Sequence, residues 1–394
     1  MSDAKRGSGD EPHHLYVHVP FCRLVCAYCD FVTVGGRASD IPRYVDALLA
    51  ELALRPAPGE LRTVYFGGGT PSLLEGGQVA RIIEAAVARW SAVEMEEVTL
   101  EVNPSERESP DWAGLREAGV TRVSLGVQSL RDEDLDALAR GHTAREARAA
   151  YATARGAGFD NVSIDLIYGI PGQSLEGWRR GLREAIELEP AHLSAYALQL
   201  ALAPDEWAAP PRPGALRWRH RMVPRQDDAL AADQYRLAEE LLADAGYDHY
   251  ELSSWARPGR ESRHNGAYWA SHAYTGIGAG AHSYDGSAER SWNARDLDRY
   301  LDCTEAGKRA LEGSEALDPD TRAFDAIALG LRRVRGLSRD AFAREFGDDP
   351  VARYADAVAN TVSAGLMEFD NDALRLTPRG RLLATEALVA FAPG

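Results

Sequence analysis

This sequence of 394 residues holds only four cysteines, and no apolar run in it approaches the length of a membrane span. A bilayer-crossing helix needs about 20 consecutive apolar residues, so no transmembrane segment is expected. Four cysteines, three of them clustered, argue for a reducing cytoplasm rather than a disulfide framework. Positive charge is scarce too: 44 Lys and Arg face 60 Asp and Glu, a formal net charge of −16. Nucleic acid wants a basic face and is not an expected partner. The opening stretch MSDAKRGSGDEPHH lacks the apolar core of a secretory signal, and residues 1–14 read as a disordered tail. What is present, 45% hydrophobic and 26% charged residues, is the composition of a soluble globular protein. The length suits a large domain and a smaller one.

Up to about residue 250, short stretches rich in Val, Ile, Leu and Tyr alternate with amphipathic ones. Strands are predicted at Leu15–Val19, Thr63–Phe66, Glu97–Val102, Arg122–Gly126, Asn161–Tyr168 and His192–Leu198. Their apolar character reads as continuous, as in parallel strands covered on both faces. Helices are predicted at Tyr44–Leu54, Gln78–Trp90, Leu175–Glu187 and Asp227–Ala245. The fold expected is α/β, a partial (β/α)6 barrel over residues 15–255. In such a barrel the chemistry sits on the loops at the C-terminal strand ends. Polar signals fall there: the cysteines after the first strand, Gly67-Gly68-Gly69-Thr70-Pro71 after the second, Glu101 and Asn103 at the third. Gln128, Asp165 and Gln199 mark the remaining three.

Residues 256–317 read as a connecting segment. Residues 318–394 read as a smaller, mainly helical, winged-helix-like domain with a hairpin turning at Asn371-Asp372. That region is acidic on balance, which favours packing or partner docking over DNA. Ala203–Gln226, rich in Pro, Arg and Trp, reads as a long loop. Its Arg212, Arg217, Arg219, Arg221 and Arg225 form a solvated basic patch or, less simply, a clamp for an anionic ligand or lipid surface.

The strongest signal is Cys22-x3-Cys26-x2-Cys29. Thiolates at this spacing can close around one soft metal centre. A structural zinc site would need a fourth ligand, which His18 could supply. Alternatively, three thiolates on a four-iron cubane leave one iron open. S-adenosylmethionine (SAM) can chelate that iron through its amino and carboxylate groups. Cys303, in a charged helical stretch, reads as an ordinary thiol. The glycines of Gly276-Ile-Gly278-Ala-Gly280 do not have the spacing of a dinucleotide fingerprint.

The strings HVPFCRLVCAYCDF, FGGGTPSLL, LEVNPS, VSLGVQSL, IDLIYGIPGQ and GIGAGAHSY, in this order, resemble the oxygen-independent coproporphyrinogen III oxidase-like radical-SAM family. The resemblance implies that Cys22, Cys26 and Cys29 ligate a [4Fe–4S] cluster. It also implies that Tyr16, Tyr28, Gly68, Gly69, Thr70, Glu101, Gln128, Arg140 and Asp165 contact SAM. The family's dehydrogenases carry a further cysteine two residues after the third, and an N-terminal extension. Here that position is Phe31. The chain is more similar to the family's haem chaperones, which share its His264-Asn265-Gly266-Ala267-Tyr268-Trp269 motif and for which His264 would bind haem. The implied function is to hold cluster, SAM and haem in the cytoplasm and pass haem to acceptor proteins, with membrane respiratory enzymes as the suggested class. No catalytic residue is assigned, and a homodimer is left open. The rival reading is a radical-SAM oxidoreductase generating a 5′-deoxyadenosyl radical, such as an enzyme of porphyrin biosynthesis.

Overall fold

Six strands lie side by side and parallel in chain order: β1 (Pro12–Val19), β2 (Glu60–Gly68), β3 (Glu97–Val102), β4 (Arg122–Gln128), β5 (Asn161–Tyr168) and β6 (His192–Ala197). The computed structural model describes residues 12–90, 95–105, 107–108, 110–200 and 213–392. Registers such as Leu15 with Val64, Val64 with Val98 and Ser163 with His192 keep the side chains of neighbouring strands in step. Because a strand alternates its faces, each strand divides into two sets. One set, including Leu15, Val64, Phe66, Leu100, Val123 and Ile164, is fully buried and apolar. It packs beneath α1 (Ile41–Leu54), α2 (Gly76–Arg89), α5 (Ala144–Gly156) and α6 (Leu175–Glu187).

The other set is polar, contrary to the continuous apolar runs expected. Thr63, Tyr65, Thr99, Glu101, Arg122, Ser124, Ser163, Asp165, His192 and Ser194 alternate with the apolar positions. They bond across strands: Tyr65 to Glu101 at 2.8 Å, Ser124 to Asp165 at 2.9 Å, Ser163 to His192 at 2.8 Å. This inner face is largely buried as well, and it can be polar because its groups find partners across the strands.

The sheet continues at both edges to twelve strands. β7 (Asp248–Glu251) and β8 (Ser254–Ala256) pair antiparallel beyond β6. On the far side β9 (Tyr274–Ile277) lies parallel to β1, followed by antiparallel β10 (His282–Tyr284), β11 (Glu289–Asn293) and β12 (Leu311–Ala316). Residues 256–317 are therefore part of the sheet rather than a connector; they occupy the backbone groups on the edge of β1 that would otherwise stay unpaired. β1 itself starts at Pro12, paired with Glu60, so His13 and His14 belong to it. The rest of the expected tail lies outside the described residues.

Part of the expected long loop is helical: α7 (Pro213–Met222) buries Trp218 and Arg219. Residues 201–212, including Arg212, lie outside the described residues. The C-terminal region has its own core, with Ile327, Phe342, Leu374 and Phe391. A three-stranded antiparallel sheet forms there from β13 (Leu337–Ser338), β14 (Met367–Phe369) and β15 (Ala373–Leu376), with the hairpin turning at 370–372 as expected.

A buried carboxylate joins the two halves of the large sheet. Glu51 on α1 is wholly buried. Its Oε1 accepts from Arg55 at 2.6 Å and from Asn293 Nδ2 at 2.7 Å. Its Oε2 accepts from the Gly278 amide at 2.9 Å and the Tyr300 hydroxyl at 2.7 Å. Removing one partner from such a network leaves an unpaired buried charge. Glu51→Ala is expected to cost about 3–5 kcal/mol in chemical denaturation.

Candidate functional site

At the C-terminal end of β1 the chain passes Pro20 and makes a two-residue parallel pair, Phe21–Cys22 with Val34–Gly35. This pairing closes the cysteine loop over the mouth of the sheet. Cys22, Cys26 and Cys29 line one cavity of about 420 Å³ with Thr70, Glu101, Gln128, Arg140 and Asp165. The size lies within the range of small-molecule sites, about 300–1,000 Å³.

Thr70 and Arg140 each address a sulfur. Thr70 Oγ1 donates to Cys22 Sγ at 3.5 Å, and Arg140 Nη1 donates to Cys26 Sγ at 3.1 Å. The same Nη1 reaches the Tyr28 hydroxyl at 3.3 Å, while Nη2 is held by Asn103 Oδ1 at 2.8 Å and Gly126 O at 2.9 Å. Burial pushes the Cys29 thiol up to about 12, so binding a metal there must expel a proton. Three cysteine sulfurs, with no other soft donor among the described lining residues, suit an iron–sulfur cluster. The zinc alternative loses its fourth ligand. His18 Nε2 is bonded to Val32 O at 2.7 Å and Nδ1 to the Tyr16 hydroxyl at 3.0 Å.

The glycines after β2 serve the chain's own packing as much as any ligand. Gly68 has φ +112°, and a Cβ there would meet the His18 ring at 2.5 Å. At Gly69 a Cβ would come within 2.7 Å of the Pro20 backbone. Backbone amides then hold the loop, with Gly69 N on Val19 O and Thr70 N on Phe21 O, both at 2.8 Å.

Glu101 accepts from the Tyr65 hydroxyl at 2.8 Å and the Gly68 amide at 3.1 Å. Burial pushes its carboxyl up to about 7 against those bonds, and Asp165 adds to the rise. Asp165 is itself raised by burial, opposed by Arg122. Gln128 reaches the cavity through an irregular register in β4 and a left-handed backbone, φ 65°. Such a bulge re-aims a side chain, and strain of this kind gathers at binding sites.

Of the residues expected at the site, Tyr28, Gly68, Gly69, Thr70, Glu101, Gln128, Arg140, Asp165 and the three cysteines line the cavity. Tyr16 lies one layer below, stacked on Tyr65 with ring centroids 6.2 Å apart. His264 is elsewhere and differs from the open ligand expected. It starts α9 (Arg263–Trp269), is wholly buried, and has both nitrogens occupied: Nδ1 by Thr63 Oγ1 at 2.7 Å and Nε2 by the Tyr268 hydroxyl at 2.9 Å. Burial holds its pKa well below the usual histidine range. Tyr65, Arg122, Ser124, Ser194, Tyr196 and Asn265 also line the cavity and were not anticipated. A period-2 polar pattern in β2, β4 and β6 was the available signal for all but Asn265, which sits on α9.

Residues 16–185 match the Radical SAM superfamily, and residues 317–383 the HemN C-terminal domain. The chain is 37% identical over 386 residues to the heme chaperone HemW of Mycobacterium tuberculosis, covering 95% of this chain and 93% of that one. It is 33% identical to the Escherichia coli heme chaperone HemW, covering 96% and 98%. Among solved structures it is similar to E. coli coproporphyrinogen III oxidase (HemN), described as a radical SAM enzyme. The TM-score there is 0.81 at 25% identity, over 97% of this chain and 90% of that one.

Gly68→Ala is expected to cost about 1–3 kcal/mol, because φ at that position belongs to glycine and the new methyl meets His18. A melting curve unchanged from the parent would contradict this account of the loop.

Proposed function

The chain belongs to the HemW family of radical SAM proteins, and from that premise we propose that it is a haem chaperone, loading haem and delivering it to acceptor proteins. What supports the reading is a single cavity that gathers three thiols, three carboxylates and a sulfur-directed arginine, in a chain alike over nearly its full length to heme chaperones. Cys22, Cys26 and Cys29 would hold the [4Fe–4S] cluster. Tyr28, Gly68, Gly69, Thr70, Glu101, Gln128, Arg140 and Asp165 would hold SAM, with Tyr16 supporting them from beneath. When bound, these groups supply one-electron chemistry at the barrel mouth.

The protein's own part is to bind and orient. Arg140 brings a fixed positive charge to Cys26 and can pair with a ligand carboxylate. Glu101 and Asp165 offer acceptors for hydroxyl or ammonium groups. Leu24 (54% exposed), Phe31 (66%) and Tyr196 (43%) form an apolar rim at the same mouth, a surface of the kind a porphyrin face covers. His264 can serve as an axial ligand only if one of its nitrogens leaves its partner, Thr63 or Tyr268, while the other bond can stay to orient the ring. The acceptors would be membrane respiratory enzymes, met from the cytoplasm. Among the described residues no helix is long and apolar enough to cross a membrane.

The likeness to coproporphyrinogen III oxidase supports a second reading, a radical enzyme that abstracts hydrogen from a porphyrin-like substrate. Formation of 5′-deoxyadenosine together with a modified substrate, without haem binding, would favour it.

Anaerobic titration of the cluster-loaded protein is expected to give a saturable Soret change at about one haem per chain. His264→Ala should weaken binding about ten-fold or more while sparing the cluster, the scale on which even the outer partners of a metal act. His264→Gln, which keeps hydrogen-bonding capacity, separates ligation from packing. Unchanged affinity in both would move haem to the Phe31 rim.

The raised Glu101 carboxyl gives a second expectation. It is ionised above about pH 7 and neutral below, and the ionised form is the stronger acceptor. SAM affinity should therefore hold above pH 7 and fall below it, by up to about ten-fold per pH unit. Glu101→Gln should flatten that profile; a profile it leaves unchanged would remove Glu101 from the binding set.

A further inference from the structure

Arg219 has no place in the account of the cavity, and it is one of the most deeply buried charged side chains, 2% exposed. It sits on α7, outside the β/α repeats. Its Nε donates to Ala27 O at 3.2 Å, and its Nη2 donates to Tyr28 O at 3.0 Å and Cys29 O at 3.4 Å. The same Nη2 pairs with Asp30 Oδ1 at 2.5 Å. Four consecutive residues of the cysteine loop thus converge on one guanidinium, between and just beyond the second and third cysteines.

Three carbonyl dipoles aimed at one point repel one another unless a cation stands there. A planar guanidinium can address several acceptors at once where an ammonium is a point charge. The helix carrying it is anchored independently. Trp218 Nε1 donates to Ala137 O at 3.1 Å, and after the helix Gln226 Nε2 donates to Leu198 O at 2.7 Å, just past β6. Tyr28 in turn packs on the small core formed by Leu138, Ile167, Ile170 and Leu198. α7 therefore spans the end of β6, the end of α4 (Asp132–Ala137) and the cysteine loop.

We propose that Arg219 is a positioning residue for the cysteine loop and that α7 is a latch governing how the iron–sulfur cluster is taken up and kept. The proposal rests on the reading that Cys22, Cys26 and Cys29 hold that cluster. Arg140 acts on a sulfur directly, whereas Arg219 acts through the backbone. It holds the carbonyls of 27–29 on its own side, which fixes the spacing of Cys26 and Cys29 before metal arrives. Its charge also offsets part of the negative charge of a thiolate-ligated cluster.

The test uses the full chain, reconstituted anaerobically, with Cys22→Ala as the cluster-free control. Chelator-driven loss of the visible cluster absorbance is followed in Arg219→Gln, Arg219→Lys and Asp30→Ala. Partners that orient metal ligands are worth about 10–100-fold in metal affinity, so Arg219→Gln should lose its cluster faster by about that factor. Its reduction potential should shift negative, since a cation that stabilises the reduced cluster is gone. Arg219→Lys should restore the potential but only part of the retention. Amide deuterium exchange over 22–30 in the cluster-free protein should rise in Arg219→Gln and stay level over β5.

Wild-type retention, potential and loop exchange in Arg219→Gln would overturn the latch. If Arg219→Gln fails to fold, Asp30→Ala decides, because Asp30 is a part-exposed anchor on the loop side; unchanged cluster lability there overturns the proposal. A wild-type chain that takes up no cluster at all would overturn the cysteine reading itself, a distinguishable result.

Discussion

Everything at the mouth of this barrel depends on a knot of buried polar groups behind it. Glu51, charged and without solvent, is tolerated only because Arg55, Asn293, Tyr300 and the Gly278 amide surround it. Arg55 lies at the end of the same helix, and the other partners come from β11, α10 (Leu297–Glu305) and the turn after β9, so one carboxylate ties α1 to three elements distant in sequence. Beside it, the Tyr44 hydroxyl donates to His18 O at 2.8 Å and accepts from Ala279 N at 2.9 Å. The knot therefore fixes the C-terminal end of β1 two residues before the chain turns into the cysteine loop. A site on loops is only as well placed as the strand ends that carry it.

The second constraint is the polar inner face. A closed eight-stranded barrel fills its interior with branched apolar side chains. Here the parallel strands stop short of closure, and the inner positions of β2 to β6 carry hydroxyls, imidazoles, carboxyls and a guanidinium. Several are satisfied by a neighbour across the strands, as Tyr65 is by Glu101, Ser124 by Asp165 and Ser163 by His192. The arrangement leaves Glu101 and Asp165 close enough, and dry enough, that both carboxyls rise. Arg122, itself buried beside them, limits the rise of each. A ligand bearing positive charge or donor hydroxyls would complete a set of acceptors already in place.

Much of this was legible beforehand. All six parallel strands were located, β3 and β5 to the residue and β1 and β2 starting three residues earlier than expected, because Val, Ile and Leu runs are strong local signals. The placement of Cys22, Thr70, Glu101, Gln128 and Asp165 at strand ends followed from the βα rule, and all five line the cavity. Other features were not legible. Arg122 and Ser124 were passed over because their strand read as uniformly apolar, although the polar residues stand at alternate positions. Gln128 was placed, but the bulge that aims it was not foreseen, since a left-handed glutamine leaves no mark in composition. Residues 256–317 gave no long periodic run, and only pairing with the edge of β1 makes strands of them.

His264 and Arg219 mark the boundary between the two kinds of knowledge. Both were singled out by residue type, one in a motif and one in a basic loop. Burial gave each partners that residue type did not show: the histidine bonds to Thr63 and Tyr268, and the arginine points inward to the cysteine loop. The sequence by itself determined the order of the six parallel strands, the thiol set, the acidic balance and the lack of an apolar run long enough to cross a bilayer. These depend on local spacing and summed composition. Which polar groups face one another was decided only by the tertiary structure, because hydrogen-bond partners 201 or 191 positions apart are brought together by packing and by nothing local.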